Sequence, residues 1–323
     1  MPQNHFNCPI CHSEKTQSFE VKEMMFGLRE AFTYALCANC GVIFQRQPPD
    51  DLGRYYGSQY YSLNIQNSSG SIKRLLKRLR GKYLFQSKSF LPGWIITKLF
   101  GKPDFMHYMA AVNTSFSDAI LDVGSGTGYL LWELHAAGFK NLSGIDPFIE
   151  NDILNNNGIN IYKKELKDLD TKYDLIMFNH AFEHMHDHKN ILQRVNQLLN
   201  DNGRVIIRVP VVNYAWEKYS TNWVQLDAPR HICVFSEKAI TLLAKESDLE
   251  IEKIIYDSTA FQFWGSEQYK QNIPLRDPRS YAENPARSIF STKQIIEYSK
   301  QAEKLNQEGK GDQACFILRK MIN

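Results

Sequence analysis

ILDVGSGTGYLL, residues 120–131, reads as a strand, a tight turn and the start of a helix. An apolar run from Ala119 to Leu121 meets Asp122. Gly124, Gly126 and Gly128 then alternate with Ser125 and Thr127, and an apolar stretch follows. Glycine lets the backbone turn sharply and lets a ligand lie against it with no Cβ in the way. The helix beyond the turn is expected to aim its amides and its positive dipole end at that ligand. A dinucleotide fingerprint spaces its glycines G-x-G-x-x-G, with an acid about 20 residues further on. Here the pattern is D-x-G-x-G-x-G, and the third glycine comes one residue early. A second acid, Asp146, closes the next apolar strand, Leu142 to Ile145. A carboxylate in that place can take both hydroxyls of a ribose.

With Asp122 before the glycines and Asp146 after the second strand, the sequence resembles the class I S-adenosylmethionine (SAM)-dependent methyltransferases. The resemblance implies that the loop Asp122, Gly124, Ser125, Gly126 and Gly128 cradles the methionine part of SAM, and that Asp146 binds its ribose. It also implies that Glu165 and Leu166, after the third strand, lie around the adenine ring. A nicotinamide-dependent oxidoreductase is the rival reading of such a loop, and the glycine spacing argues against it.

The 323 residues suffice for one large α/β domain with additions, and 43% apolar content supplies a core. A net charge of +3 does not by itself argue for nucleic acid. No run of 18 apolar residues occurs, and the first residues lack the pattern of a secretory signal, so the expected compartment is the cytoplasm. Four of the six cysteines are paired as Cys8-x-x-Cys11 and Cys37-x-x-Cys40, 25 residues apart. Two such knuckles can close a tetrahedral zinc site, whereas reduced thiols argue against disulfides. Four thiolates leave no open position on the metal, so the zinc is expected to be structural. Residues 1–46 read as a zinc-ribbon module, ended by Pro48 and Pro49.

Residues 47–116 read as a tyrosine-rich linker and a helical lid. Tyr55, Tyr56, Tyr60 and Tyr61 fall within seven residues. They either seal a junction or line the pocket, and the resemblance favours Tyr56 and Tyr60 as substrate contacts. Residues 71–84, SIKRLLKRLRGKYL, form a basic amphipathic helix. It is either a lid with a solvated basic face or a surface for lipid head groups or a pyrophosphate. From residue 117 onward strand and helix alternate, as a doubly wound sheet requires. Strands are expected near 119–123, 142–146, 159–163, 173–179, 203–209, 250–256 and 313–320. Helices are expected near 127–138, 149–156, 188–200 and 236–247. Seven strands match the Rossmann-like methyltransferase sheet, with the last strand antiparallel.

Ligands in open α/β sheets sit beyond the carboxyl ends of the strands. The segment Asn179-His180-Ala181-Phe182-Glu183-His184 is therefore expected to face the donor. It is not the Asn/Asp-Pro-Pro-aromatic motif of amine methyltransferases. Glu183-His184 resembles the Glu-His pair of small-molecule and sugar methyltransferases. A histidine suits proton removal near neutral pH, and Glu183 could orient it. A metal site from Glu183, His184, His186 and His188 is disfavoured, because that spacing does not share a helical face. Further on, Asp227-x-Pro229-Arg230-His231-x-x-x-Phe235-Ser236 resembles the signature of a branch acting on small molecules, sugars and precursors of polysaccharides or quinones. This makes His231 a second candidate base and Asp227 and Arg230 candidate substrate contacts, unless those two pair to hold the loop. The aromatic stretch Phe261–Tyr269 either walls the acceptor site or packs. The function expected is methylation, at oxygen or carbon, of a nucleotide-linked or lipid-linked sugar or similar precursor. Peripheral membrane contact through 71–84 is consistent with it. A nucleic-acid binder using the ribbon and the basic helix is the remaining alternative.

Overall fold

The computed structural model describes residues 7–56, 70–103, 105–155 and 158–321. Tyr60 and Tyr61 lie outside the described residues. The N-terminal part is an antiparallel meander of β1 (Thr16–Lys22), β2 (Ala31–Cys37) and β3 (Ile43–Gln45). Helices α1 (Ser71–Gly81) and α2 (Leu91–Phe100) follow, joined through one widened helical turn, and then α3 (Phe105–Ala111). The alternating part begins with β4 (Ala119–Val123), α4 (Tyr129–Ala137), β5 (Asn141–Ile145), β6 (Ile153–Asn155), β7 (Ile159–Tyr162) and β8 (Tyr173–Asn179). It continues with α5 (His188–Leu198), β9 (Leu199–Pro210), α6 (Tyr214–Tyr219), β10 (Cys233–Val234), α7 (Glu237–Lys245) and β11 (Leu249–Tyr256). Helices α8 (Phe261–Lys270) and α9 (Thr292–Gln307) precede the last strand, β12 (Gln313–Lys320).

The main sheet has the order β11-β12-β9-β8-β4-β5-β7-β6. Its centre is parallel, and β12 runs antiparallel between β9 and β11. Both faces are covered, so the central strands are apolar throughout and not alternating. The pleat still sorts them. Ile120, Leu175, Met177 and Ile206 pack with Leu131 and Leu134 of α4. Leu121, Ile176, Phe178 and Ile207 pack with Leu192 of α5 and Ile240 of α7.

All seven expected strands are present, but the sheet has an eighth. Residues 149–156, expected to be helical, instead carry β6, which pairs antiparallel with β7. Ile149 and Ile153 are spaced as in a helical stripe, but the polar run between them and the three asparagines and Gly158 after Leu154 are turn formers, and Ile153 to Asn155 pair as an edge strand.

A second sheet has the order β1-β2-β3-β10. Its fourth strand comes from the later part of the chain: Ile43 pairs with Val234 and Phe44 with Cys233. Cys8, Ile10, Cys37, Cys40, Val42 and Phe44 belong to the same apolar core as Phe182, Ile232 and Phe235. The N-terminal meander is thus built into the core of the α/β part.

Helix α1 lies on α4 and is crossed by α2. A Cβ on Gly81 would fall 2.0 Å from the Ala137 carbonyl oxygen, and one on Gly93 would fall 2.3 Å from that of Leu79. Lys77 reaches Glu133 of α4 at 2.6 Å. Among the described residues, no helix is long and apolar enough to cross a membrane. The backbone-to-backbone contact at Gly81 cannot relax by side-chain rotation. Gly81→Val should therefore cost at least about 2 kcal/mol, read as a lowered urea midpoint and faster proteolysis within 71–103.

Candidate functional site

The carboxyl ends of β4, β5, β8 and β9 meet at one edge of the sheet, and the candidate residues collect there. Gly124, Gly126 and Gly128 have φ of +74°, +54° and +83°, the left-handed region where side chains are strained. Space is closed as well: a Cβ on Gly124 would meet that of Ala181 at 2.6 Å, and one on Gly128 would meet Ile161 Cδ1 at 2.3 Å. Gly144 of β5 is glycine for the same reason, because Ser125 Oγ would lie 2.5 Å from its Cβ.

The loop uses its own amides. Gly124 and Ser125 N–H donate to the Ile145 carbonyl at 2.8 and 3.2 Å, and Gly128 N–H donates to that of Ser125 at 2.9 Å. The Asp146 carboxylate accepts from Gly126 N–H at 2.9 Å and from Phe148 N–H at 2.8 Å. The glycine turn and the β5 carboxylate are therefore one unit. These amides are spent on the loop, which presents a bare backbone to a ligand instead of free donors.

Asp122 is buried behind the loop. Burial, with Asp146 nearby, pushes its carboxyl up to about 7. A cationic ligand would reverse that shift, and SAM carries positive charge on its sulfonium and amino groups. The cradle, the paired acids and the missing Cβ atoms fit SAM, whose amino-acid part Gly124, Gly126, Gly128 and Asp122 would hold and whose ribose Asp146 would take. Leu166 is buried, whereas Glu165 is exposed, caps the turn at 166–168 and pairs with Lys167 at 2.7 Å. Asn179 accepts from Arg208 at 3.3 Å.

Beyond β8, Glu183 sits fully buried at the centre of three histidines. His180 Nδ1 lies 3.3 Å from its Oε1 and His231 Nε2 lies 4.0 Å from it. The His184 and His231 rings are 4.8 Å apart. Burial alone would raise the Glu183 carboxyl. The hydrogen bond from His180 and the nearby His184 and His231 outweigh burial and hold it at about 2. Glu183 is therefore a permanent anion. Its Oε2 has no hydrogen-bond partner among the described residues, a costly state for a buried oxygen.

Backbone carbonyls fix the ring tautomers. His184 Nδ1 donates to the Arg230 carbonyl at 2.8 Å, and His231 Nδ1 donates to that of Gln225 at 2.8 Å. Each Nε2 is left as the acceptor. Burial and the neighbouring His231 lower the His184 pKa, which favours its neutral form. The Tyr56 hydroxyl lies 3.4 Å from His184 Nδ1. His186 is exposed, and His188 is a core residue bonded to the Phe182 carbonyl at 3.0 Å. Neither joins the cluster. Glu183, His184 and His231 do offer ligand atoms within 4.8 Å of one another.

Arg230 is fully buried. It donates to both oxygens of Asp227 at 2.6 and 2.9 Å, to Glu23 at 3.1 Å and to the Tyr55 carbonyl at 3.0 Å. This is the loop-holding alternative for Asp227 and Arg230. Sequence reasoning missed Glu23 and Tyr34. The Tyr34 hydroxyl donates to the His231 carbonyl at 2.8 Å. It also missed His180 and Arg208, which bond to each other at 2.7 Å. The aromatic stretch in α8 is mostly packing: Phe263 and Tyr269 are buried, and Gly265 packs on Val224.

The four paired cysteines converge. Cys8 and Cys40 Sγ lie 3.5 Å apart, as do Cys11 and Cys37. Zinc–sulfur bonds of about 2.3 Å in a tetrahedron put sulfurs about 3.8 Å apart, so the set fits zinc. The turns fit as well, with His12 at φ +57° and Gly41 at +75°.

A family model described as "Methyltransferase domain" matches residues 70–254, more than half of the chain. No curated protein sequence matches. Among solved structures, a putative sarcosine dimethylglycine methyltransferase from Galdieria sulphuraria is 14% identical with a TM-score of 0.43, over 74% of this chain and 90% of that one. The cyclopropane synthase MmaA2 from Mycobacterium tuberculosis is 13% identical at 0.42, over 79% and all of its own chain. An O-methyltransferase of a polyketide synthase from Brevibacillus brevis, in complex with S-adenosylhomocysteine, is 16% identical at 0.41, over 75% and 79%.

The Asp122 shift has a measurable sign. A carboxyl raised to about 7 is protonated below that pH, and a cation binds its ionised form. SAM affinity, measured by calorimetry, should rise with pH up to about 7 and then level off. Asp122→Asn should flatten that dependence.

Proposed function

This chain belongs to the methyltransferase-domain family and is a SAM-dependent methyltransferase, and from that premise we propose that it methylates a nucleotide sugar or another polysaccharide precursor, at oxygen or carbon. The observation that carries this reading is the pair of histidines on a buried anion. Both have Nδ1 tied to a carbonyl and Nε2 turned to accept, and both flank Glu183. SAM, when bound, supplies a methyl group on a good leaving group. What remains for the protein is alignment and removal of one proton. Glu183 stabilises the imidazolium that forms, and the carbonyls of Arg230 and Gln225 keep each ring from turning. Tyr56, whose hydroxyl lies near His184 Nδ1, is our candidate for an acceptor contact.

A base works deprotonated, and the His184 pKa is lowered. The acid limb of kcat should therefore fall below the usual histidine range, with full activity retained above it. His184→Ala and His231→Ala should each lower kcat by about 10²–10⁴-fold while leaving SAM affinity unchanged. The assay is transfer of labelled methyl from SAM to a panel of nucleotide sugars, and a panel left wholly unlabelled refutes the acceptor class. The closeness of Glu183, His184 and His231 favours a second reading, a divalent cation that orients the acceptor oxygen. Activity that disappears with chelator and returns with magnesium or manganese selects it.

We assign a structural zinc ion to Cys8, Cys11, Cys37 and Cys40. The purified protein should carry about one zinc per chain by elemental analysis. Stripping it with a thiol-reactive agent should lower the Tm and the methyl-transfer rate together, because β3 connects the cluster to the His231 loop.

A further inference from the structure

Residues 70–103 hold nine of the 38 lysines and arginines of the chain and none of its 35 acids. The rest of the chain is net negative. Six of these cations lie on helices α1 and α2, which also carry seven of the large apolar side chains exposed among the described residues. Ile72, Leu75, Leu91, Trp94, Ile95, Leu99 and Phe100 are all exposed, and Ile72, Leu99 and Phe100 keep 77%, 72% and 66% of their surface. In α2, Leu91, Trp94, Ile95, Lys98 and Leu99 share one face at helical spacing, Phe100 stands exposed at the helix end, and Lys102 follows just beyond it. The opposite face turns Gly93 and Ile96 inward. The apolar surface is thus surplus to the fold. Lys73, Arg74, Arg78, Lys98 and Lys102 around it form no ion pair with described residues.

Where the widened turn after α1 meets α2 and the residues just past it lies an open cleft of about 380 Å³, lined by Tyr83, Trp94, Thr97, Lys98, Gly101 and Lys102. Two lysines and two aromatic side chains lining one open cleft suit a phosphate-bearing head group.

We propose that the α1–α2 hairpin docks this enzyme on an anionic lipid surface, with Leu91, Ile95, Leu99 and Phe100 entering the head-group boundary and the flanking cations meeting lipid phosphates. Charge decides among occupants. A second copy of this chain would set these exposed cations against their own kind, which repel. A neutral protein groove would leave the cations unmatched. A bilayer with acidic lipids matches both the apolar tips and the charge, as interfacial amphipathic helices do. The proposal is independent of the acceptor and concerns only where the enzyme works.

The test is co-sedimentation of the full chain with vesicles of phosphatidylcholine alone or with 30% phosphatidylglycerol. Binding to the acidic vesicles should be at least tenfold tighter and should weaken as salt rises from 50 to 300 mM. Leu99→Glu/Phe100→Glu and, separately, Lys98→Glu/Lys102→Glu should each reduce it at least tenfold. Unchanged SAM affinity and Tm in these variants would show that the fold and the donor site survive. Equal binding to both vesicle types, or binding that neither variant weakens, overturns the proposal. So does a dimer in sedimentation equilibrium that Leu99→Glu/Phe100→Glu dissociates. RNA or heparin binding that survives the apolar substitutions, with no vesicle binding, overturns it as well.

Discussion

The buried guanidinium of Arg230 is the constraint on which the reactive end of this molecule depends. A charge with no exposed surface must be neutralised and fully hydrogen-bonded, or it costs several kcal/mol. Arg230 meets that demand from three separate parts of the chain: Glu23 beyond β1, the carbonyl of Tyr55 before the helices, and Asp227 on its own loop. Removing both acids would strand the charge, a loss of about 3–5 kcal/mol. The same residue's carbonyl accepts the His184 Nδ1 proton. The ion pairs that fix the loop thereby fix the tautomer of a candidate base.

The N-terminal meander continues this logic. Strand β3 pairs with β10, the Ser236 hydroxyl donates to the Cys40 carbonyl, and Lys238 reaches that of Asn39. Tyr34 holds the His231 carbonyl. Ile232 N–H donates to the Glu183 carbonyl at 2.8 Å, while its own carbonyl accepts from Gln45. The loop carrying His231 is thus clamped between the cysteine cluster and the Glu183 turn. A closed thiolate site does no chemistry itself, yet here it lies one strand away from the residues that can. Chain segments that could have been a separate appendage instead form one wall of the site.

The glycine turn and its carboxylate were legible because their requirements are local. Gly124, Gly126, Gly128 and Asp146 lie within 23 residues and answer to backbone geometry, which a sequence states directly. The pairing of His184 with His231 was legible only as two separate candidates. Their shared anion, Glu183, was read as an orienting group, and its dominance follows from burial that no short motif encodes. Glu23 was invisible: nothing in VKEMMFG, residues 21–27, marks a carboxylate whose partner is 207 positions away. The helix expected at 149–156 failed for a local reason, because three apolar residues in a sequence rich in asparagine can pair as an edge strand as readily as they can coil.

By itself the sequence determined the parallel α/β sheet, the glycine cradle, the two cysteine knuckles and the list of titratable side chains at strand ends. Each of these is set by short-range spacing and by the one-face or two-face burial of a strand or helix. Tertiary structure alone decided which of those side chains meet. It put the meander on β10, buried Arg230 so that it must be paired, and gathered three histidines on one carboxylate. It also left the cationic face of α1 and α2 uncovered. These outcomes depend on contacts between residues far apart in the chain, where desolvation of charge and packing of apolar surface act on the whole fold at once.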